Sequence, residues 1–195
     1  MNELLTRQER ALIRERSKRS YYRFFKYAWS QLEPETELID NWHIKYLCDE
    51  LEKVIHRVGQ GKRKGKDLII NIPPRSLKSN ITTVFLNAWA WTLYPHMKFI
   101  TASYSSELAV EHAVKTRRLI STEWYQSIWP TKMTSDQNVK SRFENEHGGS
   151  RRATSVGGTV TGAGADIIVC DDPHKVQEAH SENSRGTVLD WWTKT

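Results

Sequence analysis

The sequence predicts an α/β fold with a mainly parallel sheet flanked by helices, preceded by an N-terminal helical appendage. Three short segments, at 67–72, 98–104 and 166–170, have the apolar and β-branched character of strands buried on both faces. Helical spacing of apolar residues separates these segments, and strands that alternate with helices are typical of a parallel sheet. The 195 residues suffice for one domain with a hydrophobic core.

The first third of the chain carries the basic surplus. The whole chain has a formal net charge of +6, while residues 1–26 contain eight basic and three acidic residues. Residues 53–66 add six basic residues and no acidic one. Such a surplus suits a polyanion such as DNA, although charged runs also cover ordinary helix faces and loops. Charge alone leaves both interpretations open.

The appendage and the helix after it come first in the chain. Residues 3–19 predict a charged amphipathic helix, and the dense aromatic residues at 21–29 must bury one side. Apolar residues at 40–58 recur at helical spacing, with Asp40 as the expected N-cap. We therefore divide the chain into a basic and aromatic helical segment, 1–39, and an α/β domain, 40–195.

The remaining elements follow the first predicted strand in order. After the turn at 73–79 we expect a helix from residue 80 to 94, then the second strand and a helix capped by Ser105 or Ser106. A short helix ending at Pro130, a glycine-containing hairpin within 139–160, the third strand and a final helix from 181 complete the prediction.

Several classes of protein fit this composition poorly. No apolar run reaches the roughly 18 residues that span a bilayer, and charges stand where a signal peptide needs an apolar stretch. Cys48 and Cys170 form neither a zinc motif nor a disulfide framework. We expect an intracellular protein, without a membrane partner, whose thiols are reduced.

The turn after the first predicted strand contains Lys78-Ser79 at the start of a helix. A phosphate-binding loop needs backbone amides at a helix N-terminus, a lysine for the β- and γ-phosphates and a hydroxyl for Mg²⁺. The usual glycines are replaced, and Leu77 precedes the lysine. Taken alone, the motif is more simply an ordinary strand-to-helix turn.

The third predicted strand ends in Asp171-Asp172. Four apolar residues followed by two carboxylates suit a Walker B element, in which the first acid orients the Mg²⁺ shell and the second positions the attacking water. Asp-Asp-Pro is also a common turn sequence. Found in this order at two strand ends, however, the two motifs together predict a P-loop NTPase site.

The stretch 71–79, Asn-Ile-Pro-Pro-Arg-Ser-Leu-Lys-Ser, resembles the Walker A variant of tailed-phage terminase large subunits. The resemblance covers about residues 40–195 and is supported by further ordered matches. These are Asn41-Trp42-His43, Thr101-Ala102-Ser103-Tyr104, the glycine-containing 157–162, Asp171-Asp172-Pro173-His174-Lys175 and Asp190-Trp191-Trp192.

The resemblance implies an ATPase motor that translocates viral double-stranded DNA into a procapsid, in the cytoplasm of an infected bacterium. Expected partners are the portal protein, the terminase small subunit and further copies in a ring, and the expected cofactors are ATP and Mg²⁺. Asp172, Lys78 and Arg75 would be catalytic, with Arg75 contacting the γ-phosphate in cis, and Ser79 and Asp171 would hold Mg²⁺. The nucleotide-binding loop would be Pro74, Arg75, Ser76, Leu77, Lys78 and Ser79.

The chain departs from the family pattern in three places. Family members often have Glu where Asp172 stands, and Thr161-Gly162 occupies the position at which some relatives place an arginine that acts on the neighbouring subunit's ATP. The nearest alternative arginines are Arg142, Arg151 and Arg152. The C-terminal nuclease domain of the family is also missing from these residues, so we expect the ATPase domain to be incomplete at its C-terminus.

Other functions compete with the motor. A truncated, non-catalytic remnant that binds DNA or protein would keep the fold and the basic segments, and a helicase-like ATPase or a small-molecule kinase would share the Walker pair. Trp42 and His43 could flank adenine, but a helix-packing tryptophan and a surface histidine are the simpler interpretation. His174 either senses the γ-phosphate or is a turn residue.

Overall fold

The structure, a computed structural model, describes residues 5–63, 65–160, 162–178 and 180–194. Its helices are α1 (Arg7–Arg19), α2 (Tyr21–Leu32), α3 (Trp42–Gly59), α4 (Leu86–Leu93), α5 (Ser106–Ile120), α6 (Glu123–Ile128) and α7 (Glu182–Lys194). A π-helical segment, Asn80–Phe85, leads directly into α4, and a 3-10 turn covers Val176–Glu178. The strands are β1 (Phe99–Ser103), β2 (Met133–Val139), β3 (Arg142–Asn145), β4 (Ser150–Ser155) and β5 (Ile167–Cys170).

These strands form one sheet in the order β2-β3-β4-β1-β5. β1 is parallel to both β4 and β5, whereas β2–β3 and β3–β4 are antiparallel. The fold is therefore α/β as predicted, but its sheet is mixed rather than mainly parallel. The predicted hairpin is present as β3 and β4, and its second strand joins the parallel part of the sheet beside β1.

The prediction of a strand at 67–72 is wrong. The segment is not paired with any described strand, and Ile69 is 81% exposed. Ile70 and Ile72 turn inward and pack against the core. An apolar, β-branched run favours extended backbone locally, but a strand also needs a neighbour that supplies its hydrogen bonds. The described edge of the sheet at β5 supplies none to this segment.

The N-terminal helices belong to the same hydrophobic core as the sheet. Threonine 6 caps α1 with a complete capping box to Glu9, which explains where the helix starts. The aromatic face of α2 is buried as predicted and packs against α4, α5 and α6. Trp89 donates its indole hydrogen bond to the carbonyl of Ser17 at 2.8 Å, which joins α4 to α1.

Helix α3 begins one residue later than predicted. Its N-cap is Asn41, whose side chain accepts a hydrogen bond from the Trp42 amide. Asp40, the predicted cap, instead accepts from Tyr22 and forms an ion pair with Lys26 at 2.8 Å. Its carboxylate therefore joins α2 to the entrance of α3. Among the described residues, every helix is too short or too polar to cross a lipid bilayer.

Candidate functional site

The loop at 73–79 carries two residues in a backbone conformation that favours glycine. Arg75 has φ +63° and Leu77 has φ +61°, and such left-handed backbone costs about 1–2 kcal/mol for a residue with a Cβ atom. Leu77 precedes the lysine where the usual motif has glycine, so the loop keeps the glycine conformation without the glycine. Strained backbone of this kind concentrates at functional sites.

Helix α3 and the core hold this loop in place. Nε2 of His43 lies 3.2 Å from the carbonyl oxygen of Ser76, and since a carbonyl can only accept, the imidazole is the donor. The side chain of Leu77 packs against the hydrophobic core. The expectation of a merely surface-exposed His43 is therefore wrong, because its side chain is half-buried and bonded to the loop.

The same turn of α3 exposes Trp42. Its side chain is 77% exposed, so the expectation that it packs between helices is wrong. Tyr46, one turn further along α3, is 59% exposed. The two rings make an apolar surface next to the residue that contacts the loop.

Lys78 and the two aspartates meet at the carboxyl ends of the parallel strands. Nζ of Lys78 lies 3.1 Å from Oδ1 of Asp171 and also forms an ion pair with Asp172. Asp171 is 4% exposed and Asp172 54% exposed, so one carboxylate is enclosed and the other faces water. The structure thus brings together the ends of two segments that the sequence separates by more than ninety residues.

The backbone around the aspartates is fixed by β1. The Asp171 amide donates to the carbonyl of Ala102 at 2.8 Å, and the carbonyl of Asp172 accepts from the Tyr104 amide at 3.1 Å. Asp172 has φ +44°, a third strained position at the site after Arg75 and Leu77. The turn after β5 therefore has a defined shape that directs both carboxylates toward Lys78.

Charge and burial act in opposite directions on Lys78. Burial alone would lower its pKa, but the hydrogen bond to Asp172 and the charge of Asp171 outweigh burial and raise the pKa above the usual range. The ammonium is therefore charged at neutral pH. Burial raises the pKa of the neighbouring Cys170 thiol to about 11, so this cysteine is not a thiolate under the same conditions.

The site contains buried polar atoms that have no partner in the described part of the chain. These atoms are Oδ2 of Asp171, Oγ of Ser103 and Nε2 of His174. Buried polar groups are nearly always satisfied, so these atoms, at the end of β1 and in the turn after β5, are available to contact a ligand or ordered water. His174 is partly buried rather than a freely exposed turn residue.

Residues 78 and 79 are helical and lead directly into the π segment. Two threonines of that segment bond to the carbonyls of these two residues. Oγ1 of Thr82 donates to the carbonyl of Lys78 at 2.9 Å, and Oγ1 of Thr83 donates to the carbonyl of Ser79. The amides of this first turn point toward the loop, because helix amides point to the N-terminus and the first ones have no carbonyl partner within the helix. A helix N-terminus with free amides is a general binding site for phosphate.

The other predicted site residues have a different status. Pro74 and Arg75 are exposed, and Arg75 makes no hydrogen bond or ion pair within the described residues. Of the three alternative arginines, Arg151 is fully buried and cannot reach a neighbouring subunit. Arg152 donates to the carbonyl of Thr159, Arg142 lies exposed at the start of β3, and Thr161 is outside the described residues.

Among the described residues, no group of three or more His, Cys, Asp or Glu side chains could by itself hold a metal ion. Magnesium in phosphate sites takes only one or two protein ligands, with phosphates and water completing its shell. The unpaired oxygen of Asp171 fits such a role. Comparison with protein-family models and with curated proteins finds no match to this chain.

Proposed function

We propose that this chain is a Mg²⁺-dependent ATPase of the P-loop type and the motor part of a phage terminase large subunit. The observation that carries the proposal is the ion pair between Lys78, at a helix N-terminus, and two carboxylates at the end of β5. An ordinary strand-to-helix turn does not require a lysine shared between two acids beneath a strained loop. A phosphate site does require these groups.

ATP binding would exchange the partners of Lys78. In the structure one ammonium is shared by two carboxylates, which leaves the cluster with one net negative charge. Phosphate oxygens at the amides of the first helical turn would take Lys78 from Asp172, which is the more exposed of the two acids. The exposed rings of Trp42 and Tyr46 lie on the helix that holds the loop and offer a surface for the adenine base.

The hydroxyl of Ser79 and the carboxylate of Asp171 would hold Mg²⁺. When bound, the ion neutralises charge on the β- and γ-phosphates and orients them for in-line displacement. Asp171 suits this position because one of its oxygens faces Lys78 and the other is buried without a partner among the described residues.

Asp172 would act on the attacking water. Its carboxylate accepts a proton from water as the water oxygen bonds to the γ-phosphorus, and the bond to the bridging oxygen of ADP breaks. Release of Lys78 to the phosphates frees the carboxylate for this task. Arg75, exposed on the loop and without a partner within the described residues, is free to contact the γ-phosphate.

The terminase role rests on the ordered motifs and on the basic surface. Exposed basic side chains line α1, the second half of α3 and the loop after it, and they suit the phosphate backbone of double-stranded DNA. Among the described residues these are Arg7, Arg14, Arg16, Lys18, Arg19, Lys53, Arg57, Lys62, Arg63 and Lys66. The portal protein, the small subunit, a homo-oligomeric ring and the cytoplasm of the infected bacterium are part of the same proposal.

Calorimetric titration with ATP and Mg²⁺ tests the nucleotide site. We expect binding by the wild type and at least a tenfold loss in Lys78→Ala, with both proteins folded. Lys132→Ala is the matched control. Nζ of Lys132 also pairs with a carboxylate, that of Glu146 at 2.6 Å, but Lys132 immediately precedes β2, at the edge of the sheet opposite β5. Equal affinities in wild type and Lys78→Ala would refute the phosphate-loop assignment.

The remnant hypothesis predicts a different pair of results. DNA binding with steep salt dependence but neither ATP binding nor hydrolysis would favour a DNA-binding remnant over a motor. ATP hydrolysis coupled to strand separation, rather than to movement of intact duplex, would favour a helicase-like enzyme.

A further inference from the structure

Arg151 is the most unusual side chain in the core. It lies in β4 with no exposed surface, and no carboxylate among the described residues forms an ion pair with it. Burial lowers its pKa to about 9, which still leaves the guanidinium charged at neutral pH. A buried charge without a counter-ion costs several kcal/mol, so its retention needs a reason other than packing.

The guanidinium bonds to neutral groups on three elements. It donates to the carbonyl of Thr83 in the π segment, to Oγ1 of Thr116 in α5 at 3.0 Å and to Oγ1 of Thr101 in β1 at 3.2 Å. Its Nε is buried and has no hydrogen-bond partner in the part of the chain that the structure describes. Arg151 therefore directs its charge at the π segment rather than at an acid.

The π segment has a specific need for donors from outside the helix. A π turn bonds each amide to the carbonyl five residues earlier, and an α-helix bonds it to the carbonyl four residues earlier. Where the chain passes from π to α, one carbonyl loses its partner within the helix. Here Arg151 serves the carbonyl of Thr83, and Thr116 serves that of Val84 at 2.8 Å.

Thr83 also connects this contact to the phosphate loop. Its hydroxyl donates to the carbonyl of Ser79 and lies 3.3 Å from Nδ1 of His112. Because the single hydroxyl proton goes to Ser79, the imidazole of His112 donates to Thr83 through Nδ1. Thr83 thus accepts hydrogen bonds from Arg151 and His112, and its hydroxyl donates one to the carbonyl of Ser79, the residue after Lys78.

We infer that Arg151 is a positioning residue for the phosphate site, which it serves by holding the π register of Asn80–Phe85. Loss of that register turns the start of the helix by about 100° per residue and moves it by about 1.5 Å. Such a shift would displace Lys78 and Ser79 relative to Asp171. The effect on ATP rests on the proposed function, whereas the effect on the helix register does not.

The test compares three variants with the wild type. Arg151→Met removes the buried charge at similar length, Arg151→Lys keeps a charge with fewer donors, and Thr83→Val removes only the hydroxyl that bonds to Ser79. Thr92→Val is the control, because the Thr92 hydroxyl also donates to a helix carbonyl, that of Trp89 three residues earlier, but in α4, beyond the π segment. Melting temperature, residue-resolved amide exchange over 79–90 and ATP affinity are measured for each protein.

A positioning role predicts that stability and binding separate. We expect Arg151→Met to melt near or above the wild type, since an apolar replacement of a buried charge is often neutral or stabilising. In the same Arg151→Met variant we expect the amide exchange rates of residues 84–88 to rise at least tenfold and the ATP affinity to fall at least tenfold. Arg151→Lys should restore part of both. Thr83→Val weakens ATP binding by about fivefold, and Thr92→Val leaves it unchanged.

Each failure has a distinct meaning. Unchanged exchange and affinity in folded Arg151→Met overturn the inference. If Arg151→Met does not fold, Arg151→Lys decides: wild-type exchange over 84–88 together with wild-type ATP affinity overturns the inference, and faster exchange with weaker ATP binding supports it. If the wild type itself binds no ATP, the proposed function fails, and the exchange of nucleotide-free protein alone decides whether Arg151 holds the register.

Discussion

At the residue scale, the proposed mechanism gives Asp172 two incompatible tasks. In the structure it pairs with Lys78, and in the proposed hydrolysis it would accept a proton from water. Asp172→Asn removes both tasks, so we expect ATP to bind as tightly as in the wild type or more tightly. The hydrolysis rate should fall by about 10²–10⁴-fold, the usual contribution of a general base.

The split between binding and turnover distinguishes a base from a structural acid. ATP affinity from calorimetry and the rate constant from phosphate release are compared in the same preparation. Asp190→Asn is the control, because Asp190 also pairs with a lysine but lies exposed on α7. A parallel loss of affinity and rate in Asp172→Asn would contradict the assignment.

Arg75 combines a strained backbone with an exposed side chain. Glycine at this position removes the left-handed strain of about 1–2 kcal/mol but adds about 0.4–1 kcal/mol of unfolded-state entropy. We therefore expect Arg75→Gly to raise the free energy of unfolding by between zero and about 1.6 kcal/mol and to reduce ATP hydrolysis. Urea denaturation and phosphate release measure the two effects.

Arg75→Ala isolates the guanidinium from the strain. It removes the same charge without relieving the backbone, so its hydrolysis rate should match that of Arg75→Gly while its stability stays near the wild type. Full activity in both variants would exclude a contact between Arg75 and the γ-phosphate.

At the scale of elements, α3 supports the phosphate loop through one hydrogen bond. Loss of the His43 bond to the carbonyl of Ser76 costs about 1 kcal/mol, or about fivefold in ATP affinity if the loop loosens. His43→Gln retains an N–H donor and should recover most of that loss. His147→Ala, a change at an exposed histidine in the turn between β3 and β4, is the control.

Calorimetric titration with ATP compares His43→Ala and His43→Gln with the wild type. Equal ATP affinity in His43→Ala and the wild type would show that α3 does not position the loop. Weaker binding in both His43 variants would instead implicate the ring itself, for example in contact with the base.

Element prediction succeeded where local pattern and tertiary context agree. The residues of β1 are continuously apolar or small and are fully buried, as expected for a central strand. The segment 67–72 has a similar pattern but lacks a neighbouring strand, and β2 is polar enough that no pattern announced it. Pairing depends on residues far along the chain, so local composition cannot decide it.

The candidate site shows the same limit. The two aspartates follow from the rule that ligands bind at the carboxyl ends of parallel strands, whereas Lys78 is predicted from its Lys-Ser motif and from a first strand that is absent from the described sheet. The role of His43 depends on a carbonyl 33 residues away, and that of Arg151 on one 68 residues away. A backbone carbonyl has no residue type, and for this reason sequence patterns gave no signal for either contact.

At the scale of the whole molecule, the N-terminal helices and the sheet share one core. Phe24 is fully buried and its ring centroid lies 5.5 Å from that of Trp129. Phe24→Ala should lower the free energy of unfolding by about 3–5 kcal/mol. Because the core is shared, we expect the N-terminal helices and the sheet to be destabilised together. Leu12→Ala, at a position 49% exposed on α1, should change stability by no more than about 0.5 kcal/mol.

Denaturation followed by two probes measures this coupling. Far-UV circular dichroism and tryptophan fluorescence should report one coincident transition in the wild type, shifted as a unit in Phe24→Ala. Two separate transitions would show that the first two helices unfold independently of the sheet.

The most direct test of the central claim is a crystal structure of this chain with Mg²⁺ and a non-hydrolysable ATP analogue. We predict the β- and γ-phosphates within hydrogen-bonding distance of Lys78 and the loop amides, Mg²⁺ between the phosphates and Ser79 with Asp171, and Lys78 separated from Asp172. Phosphates bound elsewhere, or an unchanged pair between Lys78 and both aspartates, would contradict the account.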